Sequence, residues 1–169
     1  MKKNIKVLML GDSITGRGEW QKLLDEEHLI NLGIDGNTTS DILTRVDSVL
    51  EINPKIVFFM AGVNDLCTSM PHDLVFENYI NIIKKLKSNN IKVIVQATFF
   101  TQMKAVNKKV DEFNTLIKSY CEKEEIPFID LNKSFVNEEG LLREDLTTDG
   151  LHLGLKAYKV WAYKIKQYI

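Results

Sequence analysis

The sequence predicts an α/β protein built on a five-stranded parallel sheet with helices on both faces. Short apolar runs typical of strands alternate five times with longer segments in which apolar residues recur at helical spacing. The third run, residues 56–60, is continuously apolar, as expected of a central parallel strand buried on both faces. This alternation favours right-handed crossovers that return the chain to the next parallel strand.

Five segments have the length and composition of strands. Glycine, asparagine, aspartate or proline, which are typical of turns, stand at or near their ends. In chain order, the predicted strands are residues 5–10, 29–32, 56–60, 92–97 and 127–130.

Five other segments show a helical stripe of apolar residues. The predicted helices are residues 19–27, a segment capped by Thr38 or Thr39 and ended by Asn53-Pro54, residues 73–88, a segment containing Val106 to Tyr120, and a last helix from Leu155. Residues 131–150 show neither period, and we expect them to be irregular.

Composition indicates an ordinary globular protein. The 169 residues are enough for one domain, 1–169, with a real core, and 44% are hydrophobic and 27% charged. Twenty-two basic and 23 acidic residues give a formal net charge of -1, and no basic face is evident. We therefore expect no nucleic-acid partner.

The start of the chain raises the question of a signal peptide. Residues 1–4 are basic, but the apolar run that follows is about six residues long, is interrupted by Lys6 and lacks a small-residue cleavage site. No run approaches the roughly 20 apolar residues that span a bilayer, so we expect no membrane insertion. The two cysteines, Cys67 and Cys121, fit a reduced, cytoplasmic protein.

Polar residues with complementary chemistry follow several of the predicted strands. Because the loops after parallel strands gather at one edge of the sheet, we expect these residues to lie near one another. The set comprises Ser13 after the first strand, Gly33 and Gly36 after the second, Asn64 after the third, and Asp149 and His152 before the last helix.

This set contains what a serine nucleophile needs. An imidazole has an ordinary pKa of about 6.5, so His152 can take the proton of Ser13 near neutral pH. Asp149 lies three residues earlier and can orient the ring. Candidate donors to the oxyanion are the N–H groups of Ser13 and Gly36 and the side-chain amide of Asn64.

The chain resembles the SGNH or GDSL hydrolases at four motifs in the order of that family. These motifs are Gly11-Asp12-Ser13, the segment around Gly36, Gly62-Val63-Asn64-Asp65, and Asp149-Gly150-Leu151-His152. The resemblance implies a three-layer α/β/α fold of flavodoxin type and ester hydrolysis through an acyl-enzyme, without a metal or cofactor. It implies Ser13 as nucleophile, His152 as base, Asp149 as orienting acid, and Ser13, Gly36 and Asn64 as oxyanion donors.

Three nearby residues have simpler interpretations. We expect Asp12 to anchor nearby backbone N–H groups rather than to act as an acid catalyst, and Asp65 to support the Asn64 loop. We expect Cys67 to be a small buried thiol.

Two classes of function follow from the sequence. The first is a serine esterase acting on a small-molecule ester, such as a short acyl or O-acetyl group, with lysophospholipase and thioesterase activity as alternatives on the same scaffold. The second is a non-catalytic module that binds a carbohydrate or phosphate. The sequence leaves the acyl group and the oligomeric state open.

Overall fold

A computed structural model describes residues 5–169, and these residues contain a wholly parallel five-stranded sheet. The strands are β1 (Val7–Gly11), β2 (Leu29–Gly33), β3 (Ile56–Met60), β4 (Lys92–Gln96) and β5 (Phe128–Ile129). Their order is β2-β1-β3-β4-β5, the doubly wound order of flavodoxin-like proteins. The predicted fold is therefore confirmed. The basic start, residues 1–4, lies outside the described residues.

Eight α-helices lie within the described part of the chain. They are α1 (Ser13–Gly16), α2 (Trp20–Leu24), α3 (Thr39–Ile52), α4 (Val63–Cys67), α5 (His72–Ser88), α6 (Lys104–Lys123), α7 (Asn132–Phe135) and α8 (Leu155–Ile165). Short 3₁₀ turns cover Glu144–Leu146 and Lys166–Tyr168. Between residues 5 and 169, no helix is both long enough and apolar enough to cross a bilayer.

The helices differ from the predicted ones at three places. The α2 helix is shorter than the predicted 19–27, because Asp25 takes a left-handed conformation (φ 54°) and ends it. The α1 and α4 helices were not predicted, since each spans one turn and is too short to show an apolar stripe. The predicted irregular segment contains α7 and one 3₁₀ turn.

The helices cover both faces of the sheet. On β1, Val7 and Met9 point into a core shared with α2 and α8. Leu8 and Leu10 point into a second core, shared with α3, α5 and α6. Every residue of β1 and β3 is buried, which explains why the sequence of the third strand is continuously apolar.

The strand register brings three loops to the same level at the carboxyl edge of the sheet. Gly11, the last residue of β1, lies opposite Gly33 of β2 and Met60 of β3. The chain segments after β1, β2 and β3 therefore leave the sheet side by side.

The α3 helix is fixed at its start by side chains. Thr38 is the N-cap and forms a capping box with Asp41. The buried carboxylate of Asp65 on α4 accepts hydrogen bonds from the N–H and the hydroxyl of Thr39 at 2.7–3.1 Å. Asp65 thus ties α3 to the loop after β3, a more distant contact than the local support expected from the sequence.

The β1–α1 turn packs against β2 through two glycines. A Cβ atom added to Gly33 would lie 2.1 Å from the backbone N of Gly16 and 2.4 Å from its Cα. The glycines therefore permit a backbone approach that would exclude any side chain.

This contact predicts a large loss of stability for Gly33→Ala. The added methyl group would clash with backbone atoms, which cannot move aside as a side chain can. We therefore expect the free energy of unfolding to fall by about 1–3 kcal/mol or more. Urea unfolding of the purified variant and of the wild type measures this change in the free energy of unfolding. Gly154→Ala is the control, because its Cβ would meet no atom closer than 3.8 Å; since Gly154 is the N-cap of α8, its loss of stability should be only about 0.5–1 kcal/mol. Equal stability of the two variants would contradict the interpretation.

Candidate active site

Ser13 is the first residue of α1, directly after β1. Asp12 caps this helix, and its Oδ1 accepts a hydrogen bond from the N–H of Ile14 at 2.9 Å. This is the anchoring contact expected of Asp12. The strand, the cap and the first helical turn together hold the side chain of Ser13 at the carboxyl edge, where the residue is 4% exposed.

A chain of hydrogen bonds joins Ser13 to residues near the opposite end of the sequence. Ser13 Oγ lies 3.0 Å from Nε2 of His152, and Nδ1 of the same ring lies 2.6 Å from Oδ2 of Asp149. With the ring proton on Nδ1, the imidazole donates to Asp149 and accepts from the hydroxyl of Ser13. The structure therefore brings the three predicted residues into contact.

Asp149 is held in its ionised form by three donors. The ring of His152 is the strongest, and the backbone N–H groups of His152 and Leu151 donate to Oδ1 at 2.8 and 3.0 Å. These hydrogen bonds hold the pKa of Asp149 well below its usual range. Its side chain is 51% exposed, whereas that of His152 is 15% exposed.

The turn that carries Asp149 and His152 is closed by Thr147, which the sequence analysis did not identify. The hydroxyl of Thr147 donates to the carbonyl of His152 at 2.6 Å and accepts from the N–H of Gly150 at 2.9 Å. The backbone N–H of Gln102 donates to the carbonyl of Gly150 at 2.8 Å, which attaches the turn to the loop after β4. The sequence does contain a signal for this role, because a threonine just before a turn with glycine often bonds to the backbone of that turn.

The other two predicted site residues lie on neighbouring loops. Gly36 follows β2 and has a φ of 77°, a conformation that favours glycine. Asn64 lies in the first turn of α4, and its Nδ2 donates to the carbonyl of Asn37 at 2.9 Å. Residues 5–169 show no direct hydrogen bond between Ser13 and either Gly36 or Asn64.

Asp12 differs electrostatically from Asp149, although both lie close to Ser13. Burial raises the pKa of Asp12 to about 7, and the hydrogen bond from Ile14 only partly offsets it. Its second oxygen, Oδ2, is buried and has no partner among the described residues. Asp12 is thus driven towards its neutral form.

Two further observations concern other chemistry near the site. Cys67, at the end of α4, is exposed, so the expectation of a buried thiol was wrong. In the described chain, no three His, Cys, Asp or Glu side chains cluster so that they could hold a metal ion.

A doubly wound α/β fold that brings a serine, a histidine and an aspartate together at its carboxyl edge is an arrangement found among carboxylic ester hydrolases. The model of the GDSL-like lipase/acylhydrolase family matches residues 9–160, and the chain belongs to this family. The predicted resemblance is confirmed.

Solved structures agree with this assignment. A GDSL-like lipase from Bacteroides thetaiotaomicron superposes with a TM-score of 0.89 and 27% identity, over 99% of this chain and 89% of that one. An acetyl xylan esterase superposes with a TM-score of 0.86 and 27% identity, over 98% of this chain and 100% of that one.

Two curated relatives differ in how much of their length is shared. An N-acylneuraminate cytidylyltransferase from Streptococcus agalactiae is 29% identical over 89% of this chain, but the chain spans only 35% of that relative. An isoamyl acetate-hydrolyzing esterase from Saccharomyces cerevisiae is 25% identical over 92% of this chain and 82% of its own length.

The contacts of Thr147 predict that Thr147→Val lowers the rate of ester hydrolysis. Valine has nearly the same shape but lacks the hydroxyl that forms these hydrogen bonds, so we expect kcat to fall about tenfold, equivalent to about 1.4 kcal/mol. Thr147→Ser keeps the hydroxyl and should retain most activity. Thr115→Val, at an exposed position on α6, is the control. Steady-state kinetics on an aryl acetate measures kcat for each variant. Full activity of Thr147→Val would show that the Thr147 hydroxyl is not needed to hold the turn of Asp149 and His152.

Burial of Asp12 predicts a characteristic pH dependence of stability. An unfolded aspartate loses its proton near pH 4, whereas folded Asp12 keeps it until about pH 7, so stability decreases as pH rises through this window. Asp12→Asn retains the Oδ1 acceptor and does not titrate. The difference in unfolding free energy between variant and wild type should therefore shift in favour of the variant by up to about 4 kcal/mol from pH 4 to pH 8.

Urea unfolding at four pH values across this range tests the prediction. The prediction concerns how the difference in unfolding free energy between Asp12→Asn and wild type changes with pH. An effect of the amide that is the same at every pH therefore cancels. A difference that is flat with pH would show that Asp12 is ionised in the folded protein.

Proposed function

We propose that the protein hydrolyses a small ester, with a short acyl or O-acetyl group carried on a carbohydrate, through an acyl-enzyme on Ser13. The observation that carries the proposal is the hydrogen-bonded chain from Ser13 Oγ through His152 to Asp149. A base and its orienting carboxylate serve no purpose in a module that only binds its ligand. They are what a serine needs to become a nucleophile.

In the first half of the proposed reaction, Ser13 Oγ attacks the ester carbonyl carbon while its proton moves to Nε2 of His152. The ionised carboxylate of Asp149 stabilises the imidazolium that forms. The tetrahedral intermediate then collapses, and His152 returns the proton to the departing alcohol oxygen. The acyl group remains on Ser13.

In the second half, water replaces the alcohol. His152 takes a proton from the water as its oxygen attacks the acyl carbon, and a second tetrahedral intermediate forms. Its collapse releases the carboxylic acid, and the proton returns from His152 to Ser13 Oγ.

Both intermediates place negative charge on the former carbonyl oxygen. The N–H of Ser13 belongs to the first turn of α1, where backbone N–H groups have no partner within the helix. We assign it, the N–H of Gly36 and the Asn64 amide as donors to this oxygen. Loss of one such donor typically costs roughly 2.7–4 kcal/mol of barrier.

The names of related proteins support a small acyl group on a sugar. Two of these proteins are named for acetyl esters, isoamyl acetate and acetyl xylan. The names of the acetyl xylan esterase and of the N-acylneuraminate cytidylyltransferase both contain a carbohydrate. Acetyl xylan combines the two features, and we propose an acetyl ester on a carbohydrate as the substrate class.

The cysteines support a reducing, cytoplasmic location as part of the proposal. Cys67 is exposed on α4, Cys121 is buried on α6, and the two are free thiols. An exposed free thiol is better tolerated where cellular reductants keep cysteines reduced.

A probe and a substrate panel test the proposal together. A fluorophosphonate should label Ser13, and Ser13→Ala and His152→Ala should each lower kcat on aryl acetate by at least about 10³-fold. Ser88→Ala and His28→Ala change exposed residues and should keep full activity.

The panel varies the acyl chain from two to twelve carbons and the leaving group among sugar acetates, lysophospholipids and thioesters. Fastest turnover of sugar acetates is the expected result. Preference for long chains or thioesters would favour the lysophospholipase or thioesterase alternative. An unlabelled Ser13 with no turnover on any ester would favour the binding module instead.

A further inference from the structure

The half-buried side chain of Arg45 reaches from the second turn of α3 to the carboxyl edge of the sheet. Its Nη2 donates to the carbonyls of Gly11 at 3.0 Å and Leu32 at 2.9 Å. Its Nε donates to Oδ1 of Asn37 at 2.7 Å. One guanidinium thus binds the end of β1, the end of β2 and the loop after β2.

None of these partners is charged. No ion pair among residues 5–169 includes Arg45, and its three acceptors are two carbonyl oxygens and an amide oxygen. A planar group with fixed N–H directions can set the positions of several acceptors at once. The contacts therefore indicate that this arginine determines geometry rather than neutralising a charge.

Two of the three contacts lie near proposed oxyanion donors in the sequence. Gly11 is two residues before Ser13, and Asn37 directly follows Gly36. The carbonyl of Asn37 in turn accepts the hydrogen bond from the Asn64 amide. Arg45 is therefore connected to Gly36 and Asn64 through Asn37 alone, and to Ser13 through Gly11 and Asp12.

We propose that Arg45 is a positioning residue that sets the relative placement of the three oxyanion donors. This inference rests on the proposed function, since it concerns the same site. The Arg45 guanidinium fixes the loop of Gly36 against the β1–α1 turn through Asn37, and Asn37 then aligns Asn64. Errors of about 1 Å in such a site lower the rate strongly while leaving ground-state binding largely unchanged.

Arg45→Lys, Arg45→Gln and Asn37→Ala test the proposal. Lysine keeps the charge but loses the planar fork, so we expect kcat on aryl acetate to fall about tenfold, and about a hundredfold with glutamine. Asn37→Ala removes the Nε acceptor and should also lower kcat about tenfold. KM should change less than threefold in each case.

Two further readouts separate positioning from a loss of folded protein. The inhibition constant of an arylboronic acid, which forms a tetrahedral adduct on serine, should rise by the same factor as kcat falls. The final stoichiometry of fluorophosphonate labelling should stay at that of wild type, with only the rate reduced. Combining Asn37→Ala with Arg45→Gln should lower kcat little beyond Arg45→Gln alone.

Asp47→Asn is the matched control, because Asp47 lies on the same helix and forms an exposed ion pair with Lys85. It should leave kcat and boronate inhibition unchanged. If Arg45→Gln does not fold, Arg45→Lys and Asn37→Ala carry the test.

Wild-type protein that neither reacts with the probe nor turns over esters would overturn the proposed function itself. Active wild type with unchanged kcat and boronate inhibition in the Arg45 and Asn37 variants would overturn the role of Arg45 alone. Reduced labelling stoichiometry matching the loss of kcat would do the same, because it would show a role in folding only.

Discussion

The pairing of β1 on both of its edges is the constraint on which the site depends. Because β1 is hydrogen-bonded to β2 and β3 in register, Gly11 is level with Gly33 and Met60. Three loops then leave the sheet at one height, and the first of them turns at once into the helix that begins with Ser13. Any shift of register would separate the nucleophile from Gly36 and Asn64. The side chains of β1 oppose such a shift, because they pack into two separate cores and a shift would disrupt both.

The base, in contrast, reaches Ser13 through packing of the last helix. Residues 13 and 152 are 139 positions apart, so their hydrogen bond requires α8 to be docked beside α1. The hydroxyl of Tyr158 donates to the carbonyl of Ile14 at 2.6 Å, and the rings of Trp20 and Trp161 pack edge to face at 4.6 Å. This aromatic contact buries large apolar area and fixes the distance between the two halves of the site.

The sequence predicted the sheet and the proximity of Ser13, His152 and Asp149, because both follow from local patterns and the topology that they imply. Continuous apolar runs such as 56–60 identify buried strands, and the parallel topology brings the loops that follow them to one edge. Arg45 and Thr147 were missed because their contacts are with backbone carbonyls and loop amides, which no residue pattern encodes. The exposure of Cys67 was missed for a similar reason, since a one-turn helix has no periodicity to orient it.

The two aspartates near Ser13 differ in ionisation because their surroundings differ. Asp149 receives three hydrogen bonds at an exposed turn and stays ionised, as stabilisation of an imidazolium requires. Asp12 receives one at a buried position, and its pKa is raised to about 7. Protonation of Asp12 would remove a negative charge adjacent to the serine, where an oxyanion is to develop. The burial that lowers stability as pH rises from about 4 to 7 keeps Asp12 neutral over the same range, and would there favour the chemistry proposed for Ser13.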